Sequence, residues 1–273
     1  MLANIFKKKN TVGIVETEMS FMEHIDSLRK HLFRAALYII VVMFIVFLQK
    51  SYVFDTIILG PTKPDFFTYR FLCSLADFMC FEPAKFEIYT RELGEQLTVH
   101  LEVSFYLGLI VAFPLVFREF WLFIKPGLYT KEQMVTKGIV FVCTTLFLSG
   151  VLFGYFFIAP FSISFLASYD VSAQVKESVQ LSSMVDIMLM FTMLTGLVFE
   201  LPVVVYFLAK LGIMGPVFMR TYRRHAIVII TIIAAIITPP DVVSMTIVTI
   251  PLCLLYELSI YVAARVYPKD EIV

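Results

Sequence analysis

Six apolar stretches dominate the sequence, and each approaches the length of a membrane-spanning helix. A bilayer core roughly 30 Å thick takes about 20 apolar residues per helix. Of the 273 residues, 59% are hydrophobic and only 16% are charged, a composition typical of membrane proteins. The sequence predicts an all-α integral membrane protein with six transmembrane helices in one polytopic domain over residues 1–273. The predicted spans are about 32–48, 97–117, 138–159, 184–209, 226–237 and 242–264.

The last two spans are predicted to be short. The fifth contains only twelve residues, eleven of them apolar, or roughly 18 Å of helix. In the sixth, Glu257 leaves about 15 residues, or ~22 Å of helix, before the first charge. Two short neighbouring helices imply a locally thinned bilayer or cover from a partner.

The distribution of Lys and Arg predicts the orientation in the membrane. With six spans both termini lie on the same side, and the tails and loops assigned to that side hold sixteen of the 22 Lys and Arg residues. The positive-inside tendency makes this side cytoplasmic. The opposite side then carries a long extracytoplasmic loop over residues 49–96.

This outer loop contains Cys73 and Cys80. On an oxidising side of the membrane two such cysteines can form a disulfide. The residues between them have a helical pattern, however, and helical residues seven apart lie about 10.5 Å from each other, beyond the reach of a disulfide. A bridge between them therefore requires a turn near Asp77.

Residues 19–31, before the first span, are predicted to form a cytoplasmic amphipathic helix. Ser20 and Glu23 have the spacing of a capping box. Apolar residues then recur at helical spacing, so that one face can lie on the membrane before the chain turns into the first span. Glu23 and the neighbouring Asp26 belong to the polar side. The simplest interpretation of this segment is an interfacial anchor.

The hairpin between the second and third predicted spans, residues 120–132, contains aromatic and acidic residues that a simple connection between two helices does not require. It combines interfacial aromatic residues, a rigid Pro-Gly bend and a carboxylate beyond the bend, namely Trp121, Phe123, Tyr129, Pro126-Gly127 and Glu132. The pattern indicates a cytoplasmic surface that can bind a ligand.

Glu200 lies inside the fourth predicted span, where an ionisable residue costs about 2.5–3.5 kcal/mol on insertion scales. Pro202 cannot donate a hydrogen bond to the Val198 carbonyl, so the helix is predicted to bend at the acid. The carboxyl group could serve as a proton site, an internal hydrogen-bond partner or a dock for a polar group of another helix. The structural alternative is a protonated glutamate that ties two helices together.

Motifs of energy-coupled or hydrolytic enzymes do not occur in the sequence. It has no P-loop, no H-E-x-x-H, no G-x-S-x-G and no Cys/His cluster with metal-ligand spacing. We therefore expect no enzymatic activity, no cofactor and no nucleic-acid partner. The chain has the character of a scaffold with recognition surfaces.

Four motifs occur in the order of a known family. They are His24-Ile25-Asp26-Ser27-Leu28-Arg29-Lys30-His31-Leu32, Phe120-Trp121-x-Phe123-Ile124-x-Pro126-x-Leu128-Tyr129-x-x-Glu132, Phe199-Glu200-Leu201-Pro202-Val203 and Thr238-Pro239-Pro240-Asp241-Val242. In these motifs, and over essentially all of residues 19–265, the chain resembles the TatC family. That family provides the polytopic receptor subunit of the twin-arginine (Sec-independent) protein translocase.

The resemblance implies a concave, glove-like bundle of six helices with both termini in the cytoplasm, in the bacterial cytoplasmic (inner) membrane. It also implies binding of the twin-arginine signal peptides of folded precursor proteins. Partners would be single-span TatA/TatB-type subunits and further copies of the chain in a homo-oligomeric receptor complex within the lipid bilayer. Export would be driven by the proton motive force without nucleotide.

The resemblance, together with acids of this chain that stand near the motif positions, implies two sites. The signal-peptide-binding residues are Glu23, Asp26, Arg29, Trp121, Phe123, Pro126, Leu128, Tyr129 and Glu132. The intramembrane polar site for partner subunits is Glu200, Pro202, Pro239, Pro240 and Asp241. One departure concerns Ser27, where the family usually has a glutamate. Glu23, one helical turn earlier, or the adjacent Asp26 could supply the missing charge.

Two other functions are compatible with parts of the pattern. A proton-coupled small-solute transporter could use Glu200, together with Glu102 or Glu257, as titrating sites. This alternative accounts for the buried acids but not for the elaborate hairpin. A membrane scaffold without a substrate is the third interpretation.

Overall fold

The computed structural model describes residues 21–75, 86–125, 138–169, 178–238 and 242–267. This part of the chain is mostly helical. Its helices are α1 Phe21–Leu48, α2 Lys50–Tyr52, α3 Phe67–Leu75, α4 Glu95–Ile124, α5 Ile139–Phe153, α6 Ala159–Ala167, α7 Leu181–Val198, α8 Leu201–Lys210, α9 Pro216–Thr221, α10 Arg223–Ile237 and α11 Val242–Val266. Single π-helical stretches, Val53–Ile58 and Gly154–Ile158, follow α2 and α5, and a 3-10 turn covers Gly60–Thr62.

Within the described ranges, five helical segments are long and apolar enough to cross a membrane. They are His24–Leu48, Glu95–Ile124, Ile139–Ala167, Leu181–Lys210 and Met245–Val266. Helix α10, which contains the predicted fifth span, has only 15 residues. That length corresponds to roughly 22 Å, less than the thickness of a bilayer core.

Helix α1 is continuous from Phe21 to Leu48. The expectation that the chain turns between a membrane-surface helix at residues 19–31 and the first span is therefore wrong for the described residues. No glycine or proline interrupts residues 21–48, so nothing in the backbone ends the helix where the polar residues give way to apolar ones. The polar segment is the first part of the long helix.

Helix α4 likewise exceeds its predicted span. It begins at Glu95 and continues to Ile124, so the first residues of the predicted hairpin belong to the last turns of the helix. Charged residues at its end, Arg118 and Glu119, do not stop it, because side chains near a helix end can reach polar surroundings or a partner. Pro114 lies within the helix.

The third segment also extends beyond its predicted end. Helix α5 continues through the π-helical stretch Gly154–Ile158 into α6, which ends at Ala167. The predicted span ended at residue 159, just before Pro160, but Pro160 occupies the first turn of α6. At this position its missing N–H and fixed φ are tolerated.

Glycines allow α5 and its π-helical continuation to pack closely against α7. A Cβ at Gly150 would lie 2.6 Å from the Thr195 carbonyl oxygen, and one at Gly154 would lie 2.9 Å from the Thr192 Cα. From the other side, a Cβ at Gly196 would lie 2.8 Å from the Val151 side chain. Small residues four apart are a recurrent means of close helix packing in membranes.

The prediction of a short sixth helix is wrong, because α11 has 25 residues. Glu257 does not interrupt it, since its carboxylate pairs with Arg223 at the start of α10. The Arg223 Nε lies 2.7 Å from Glu257 Oε1, and Nη2 donates to Oε2 at 2.9 Å. Both side chains remain about half exposed, so no unpaired charge is buried.

The described parts of the two predicted outer loops contact one another. Strand β1, Glu87–Tyr89, pairs in parallel with β2, Ser178–Gln180. The Glu95 carboxylate at the start of α4 accepts hydrogen bonds from the Arg91 and Ser182 backbone N–H groups at 2.6 and 3.0 Å. It also accepts one from Gln180 Nε2 at 3.1 Å. One carboxylate thus links the start of α4 to β2 and the start of α7.

Cys73 lies in α3 and is disulfide-bonded. The helix ends at Leu75, before the position at which the sequence required a turn. Cys80 lies outside the described residues, so the Cys73–Cys80 pairing stays a prediction. Cys143 and Cys253 are free thiols.

Candidate functional site

The two sequence motifs expected to form a binding surface approach each other through α1 and α4, which run antiparallel. The His24 ring stacks on Phe123, with centroids 4.5 Å apart and an interplanar angle of 27°. Helix α1 thereby passes along the last turns of α4, at the point where the predicted hairpin begins. The structure thus brings the N-terminal segment next to residues 120–124.

A buried acid lies at the centre of this contact. Glu119 is only 4% exposed, and its Oε2 lies 2.7 Å from His31 Nδ1, close enough for the imidazole to donate a hydrogen bond. The Arg34 Nη1 lies 3.9 Å from the same oxygen. A carboxylate removed from water needs such partners, because leaving it unpaired is strongly unfavourable.

Sequence analysis assigned no role to Glu119, His31 or His24. The available signal was the position of Glu119 just after the predicted second span, next to Arg118 and followed by the apolar residues 120–124, where an acid near the membrane needs a partner. The partner itself is 88 residues away in the sequence, and no local pattern identifies it.

Trp121 was expected to contribute to the binding surface, but the structure places its side chain inside the bundle. It is 7% exposed and packs with Ile139, Cys143 and Val203. Its indole ring also lies 5.5 Å from the Phe207 ring. In this position it anchors the end of α4 to α5 and α8, which fixes where the hairpin begins.

Asp26 and Arg29 are exposed on α1. With Lys30, Phe33 and Arg34 they border a shallow pocket of about 500 Å³. The other members of the expected signal-peptide site cannot be placed. The Glu23 side chain lies outside the described part of the chain, as do Pro126, Leu128, Tyr129 and Glu132.

Glu200 lies where the fourth span is interrupted. Helix α7 ends at Val198 and α8 begins at Leu201, with Pro202 in the first turn of α8, so the helix is interrupted at the acid, where a bend was predicted. The Glu200 carbonyl accepts hydrogen bonds from the Val203 and Val204 N–H groups at 3.0 and 3.1 Å. The backbone around the acid is therefore satisfied at the break.

The Glu200 side chain points into the bundle. Its carboxyl group lies against the Cys143 thiol of α5, and its Oε1 is buried without a hydrogen-bond partner among the described residues. Next to it, an apolar groove of about 640 Å³ runs between α5, α8 and α11. Pro202, Val203 and Tyr206 line this groove from the side of α8.

The other residues of the expected intramembrane site, Pro239, Pro240 and Asp241, lie outside the described ranges. Thr238, which precedes them, is buried, and its hydroxyl donates to the Ala234 carbonyl at 2.9 Å. In the part of the chain that the structure describes, no group of three or more His, Cys, Asp or Glu side chains could hold a metal ion.

Comparison with known proteins gives a consistent result. The family model described as Sec-independent protein translocase protein (TatC) matches residues 23–251. A TatC protein of Blattabacterium is 37% identical over 93% of this chain and 98% of its own length. The TatCy protein of Bacillus subtilis is 31% identical over 93% of this chain and 92% of its own. A crystal structure of a twin-arginine translocase receptor, TatC, superposes with a TM-score of 0.65 at 29% identity, covering 88% of this chain and 98% of the other.

Proposed function

The chain belongs to the TatC family of Sec-independent protein translocase proteins, and we propose that it is the subunit that binds twin-arginine signal peptides of folded precursor proteins. Five helical segments able to span a bilayer agree with a multi-pass membrane protein. In this proposal α10 is a sixth, short span. Both termini then lie in the cytoplasm, and the protein resides in the bacterial inner membrane as a concave bundle.

The contact between the start of α1 and the end of α4 supports this function best. It brings two exposed charged residues, Asp26 and Arg29, to the same end of the bundle as residues 120–124, the helical first part of the predicted hairpin. Glu23 and Glu132 belong to the same two segments in the sequence. We propose that Glu23 and Glu132 share the arginine pair of the signal peptide, with Asp26 as an additional acid.

Carboxylates at this position would account for a preference for arginine over lysine. A guanidinium group can form two parallel hydrogen bonds with one carboxylate, whereas an ammonium group provides only a point charge. Hydrogen bonds to charged groups contribute about 1.5–3 kcal/mol each. Replacing both arginines, and so losing both pairs of parallel hydrogen bonds, would therefore lower the affinity for the signal peptide by orders of magnitude.

The proposal is tested by titrating a labelled twin-arginine signal peptide onto the detergent-purified full chain, with the twin-lysine peptide as control. We expect binding of the arginine form only, and loss of that binding in Glu132→Ala while the protein still folds. Equal binding of the two peptides would contradict the proposal. If neither peptide binds to the chain alone, the titration is repeated with the partner subunits, and absence of binding there would also contradict it.

A second site, around Glu200, is proposed to bind single-span partner subunits of the TatA/TatB type. The supporting observation is the buried Glu200 Oε1, which lacks a hydrogen-bond partner in the described structure and lies beside an apolar groove. Because this oxygen is shielded inside the bundle, the Glu200 side chain would have to rotate toward the groove before a partner helix there could donate a hydrogen bond to its carboxyl group. In the proposed complex several copies of the chain assemble with these subunits, and the proton motive force drives export.

The alternative of a proton-coupled small-solute transporter is less well supported. Of its candidate titrating groups, Glu257 is half exposed and already paired with Arg223. Substrate-dependent uptake by proteoliposomes that contain this chain alone would favour the transporter over the receptor.

A further inference from the structure

Four contacts spaced along the pair hold α1 against α4. They are His24 with Phe123, His31 with Glu119, Met43 with Gly108, and Phe47 with His100. The sequence numbers rise along α1 as they fall along α4, as an antiparallel pair requires. Together these contacts define one axial register between the two helices.

The four contacts do not restrict the register equally. Ring stacking is short-range but weakly directional, so other apolar or aromatic residues could replace it after a shift. The close approach at Gly108, where a Cβ would lie 3.0 Å from the Met43 Cα, restricts the register by steric exclusion but provides no directional bond. The hydrogen bond from His31 to Glu119 is directional, and its acceptor is only 4% exposed. A shift that separates the two groups breaks this hydrogen bond and leaves the buried carboxylate to the mostly exposed Arg34, whose Nη1 lies 3.9 Å away in the present register, which costs more than a lost apolar contact.

We propose that the His31–Glu119 pair is a positioning element that sets the axial register of α1 against α4 and so holds the α1 part of the signal-peptide site beside the hairpin. The functional half of this inference rests on the proposed function. Asp26 and Arg29 lie within five residues of His31 on the same rigid helix. Any displacement of His31 along the helix axis is therefore transmitted to them.

The geometry of the proposed site makes it sensitive to such a displacement. A shift of α1 by one helical turn would move Asp26 and Arg29 about 5.4 Å relative to the end of α4. Hydrogen bonds between a guanidinium and a carboxylate require heavy-atom distances of roughly 2.7–2.9 Å. Acids on α1 and in the hairpin can therefore share an arginine pair in one register and not in the next.

The first test is a double-mutant cycle on the affinity for the twin-arginine peptide, measured on the full chain. His31→Ala and Glu119→Ala should each weaken peptide binding at least tenfold. The double variant should bind the peptide no more weakly than whichever single variant has the lower affinity. His31→Arg should restore binding to within about threefold of the parent, because a guanidinium can pair with the buried acid. Arg118→Gln, which changes the exposed neighbour of Glu119, is the matched control and should leave affinity unchanged.

A second measurement reports the register without using the peptide. His24→Cys and Phe123→Cys are introduced together in a chain in which Cys143 and Cys253 are replaced by alanine, and the pair is joined by a short bismaleimide. The cross-link yield should fall at least fivefold on adding His31→Ala and recover with His31→Arg. A melting curve of each variant verifies that it is folded.

The outcomes separate the two claims. An unchanged cross-link yield in His31→Ala, or unchanged peptide affinity in both single variants, would overturn the positioning role. Failure of the parent chain and its complex to distinguish twin-arginine from twin-lysine peptides would instead overturn the proposed function. The cross-link yield would still decide whether His31 and Glu119 set the register.

Discussion

At the scale of single residues, three glutamates show three ways in which this chain accommodates a carboxyl group near the membrane. Glu119 is buried against His31, Glu257 is half exposed against Arg223, and Glu200 keeps one oxygen without a partner in the described structure. The carboxylates of Glu119 and Glu257 are each paired with a basic side chain of the same chain. The unsatisfied buried oxygen of Glu200 has hydrogen-bonding capacity that the described chain does not use, which is why Glu200 is the acid that we assign to partner binding.

This assignment predicts a difference between two substitutions at Glu200. Glu200→Gln should retain most of the complex with single-span partners, because an amide can still accept and donate hydrogen bonds, whereas Glu200→Ala should lose it. Co-purification of the partners with each variant from the same membranes measures the effect. Equal loss in both variants would indicate that the ionisable carboxyl group itself is required, and would favour a proton-coupling role.

The ion pair between Arg223 and Glu257 should matter much less for stability. Because both side chains are about half exposed, a double-mutant cycle with Arg223→Ala and Glu257→Ala should give a coupling free energy of about 1 kcal/mol or less. Thermal unfolding in detergent at low and high salt provides the measurement. A coupling of several kcal/mol would mean that the surrounding membrane or a partner shields this pair from water.

The disulfide partner of Cys73 can be identified chemically. If its disulfide partner is Cys80, mass spectrometry of the non-reduced protein should find one peptide that links the two positions, and the link should disappear after reduction. Cys143 and Cys253 are free thiols and should be alkylated in the unfolded protein without prior reduction. A linkage from Cys73 to any other thiol would contradict the predicted pairing.

At the scale of helices, the close contact between α5 and α7 depends on glycine. Gly154→Val should lower the stability of the chain by about 1–3 kcal/mol or more, because a Cβ there would meet the Thr192 Cα and the Phe191 carbonyl oxygen at 2.9–3.0 Å. Gly94→Ala is the matched control, since a Cβ at Gly94 would have no atom within 4 Å. Melting temperatures in the same detergent would compare the two, and similar values would argue against close packing at Gly154.

Helix existence could be predicted from the sequence far better than helix ends. Apolar runs located each long helix, because burial in lipid requires them. The predicted ends followed the first charged residues, but a charged side chain that has a partner or reaches water does not end a helix, and neither Pro114 nor Pro251 ends the helix that contains it. Thus α1 already includes Phe21, α4 reaches Ile124, and α11 passes Glu257 to end at Val266.

The site was predictable to the extent that its residues are close in the sequence. The break at Glu200 followed from Pro202 two residues later, a local rule. The interior position of Trp121 and the pairing of His31 with Glu119 depend on which helices become neighbours, and a single sequence does not contain that information. Aromatic residues were assigned to an interface by type, and for Trp121 tertiary packing overrides that preference.

On the scale of the whole molecule, the structure separates two regions. One is the contact of α1 with the end of α4, which we assign to signal-peptide binding. The other is the groove between α5, α8 and α11 beside Glu200, which we assign to partner subunits. Trp121 packs against Cys143, which in turn lies against Glu200, so a continuous path of side-chain contacts connects the two regions.

The central claim is that the start of α1 forms part of a twin-arginine receptor site. It is tested most directly by placing a photo-reactive amino acid at Ser27 on α1, or at Thr98 near the opposite end of α4, in membranes that contain the full complex. We predict that a twin-arginine precursor cross-links from Ser27 and not from Thr98, and that the twin-lysine precursor cross-links from neither. Equal cross-linking from both positions, or from Ser27 with both precursors, would contradict the account.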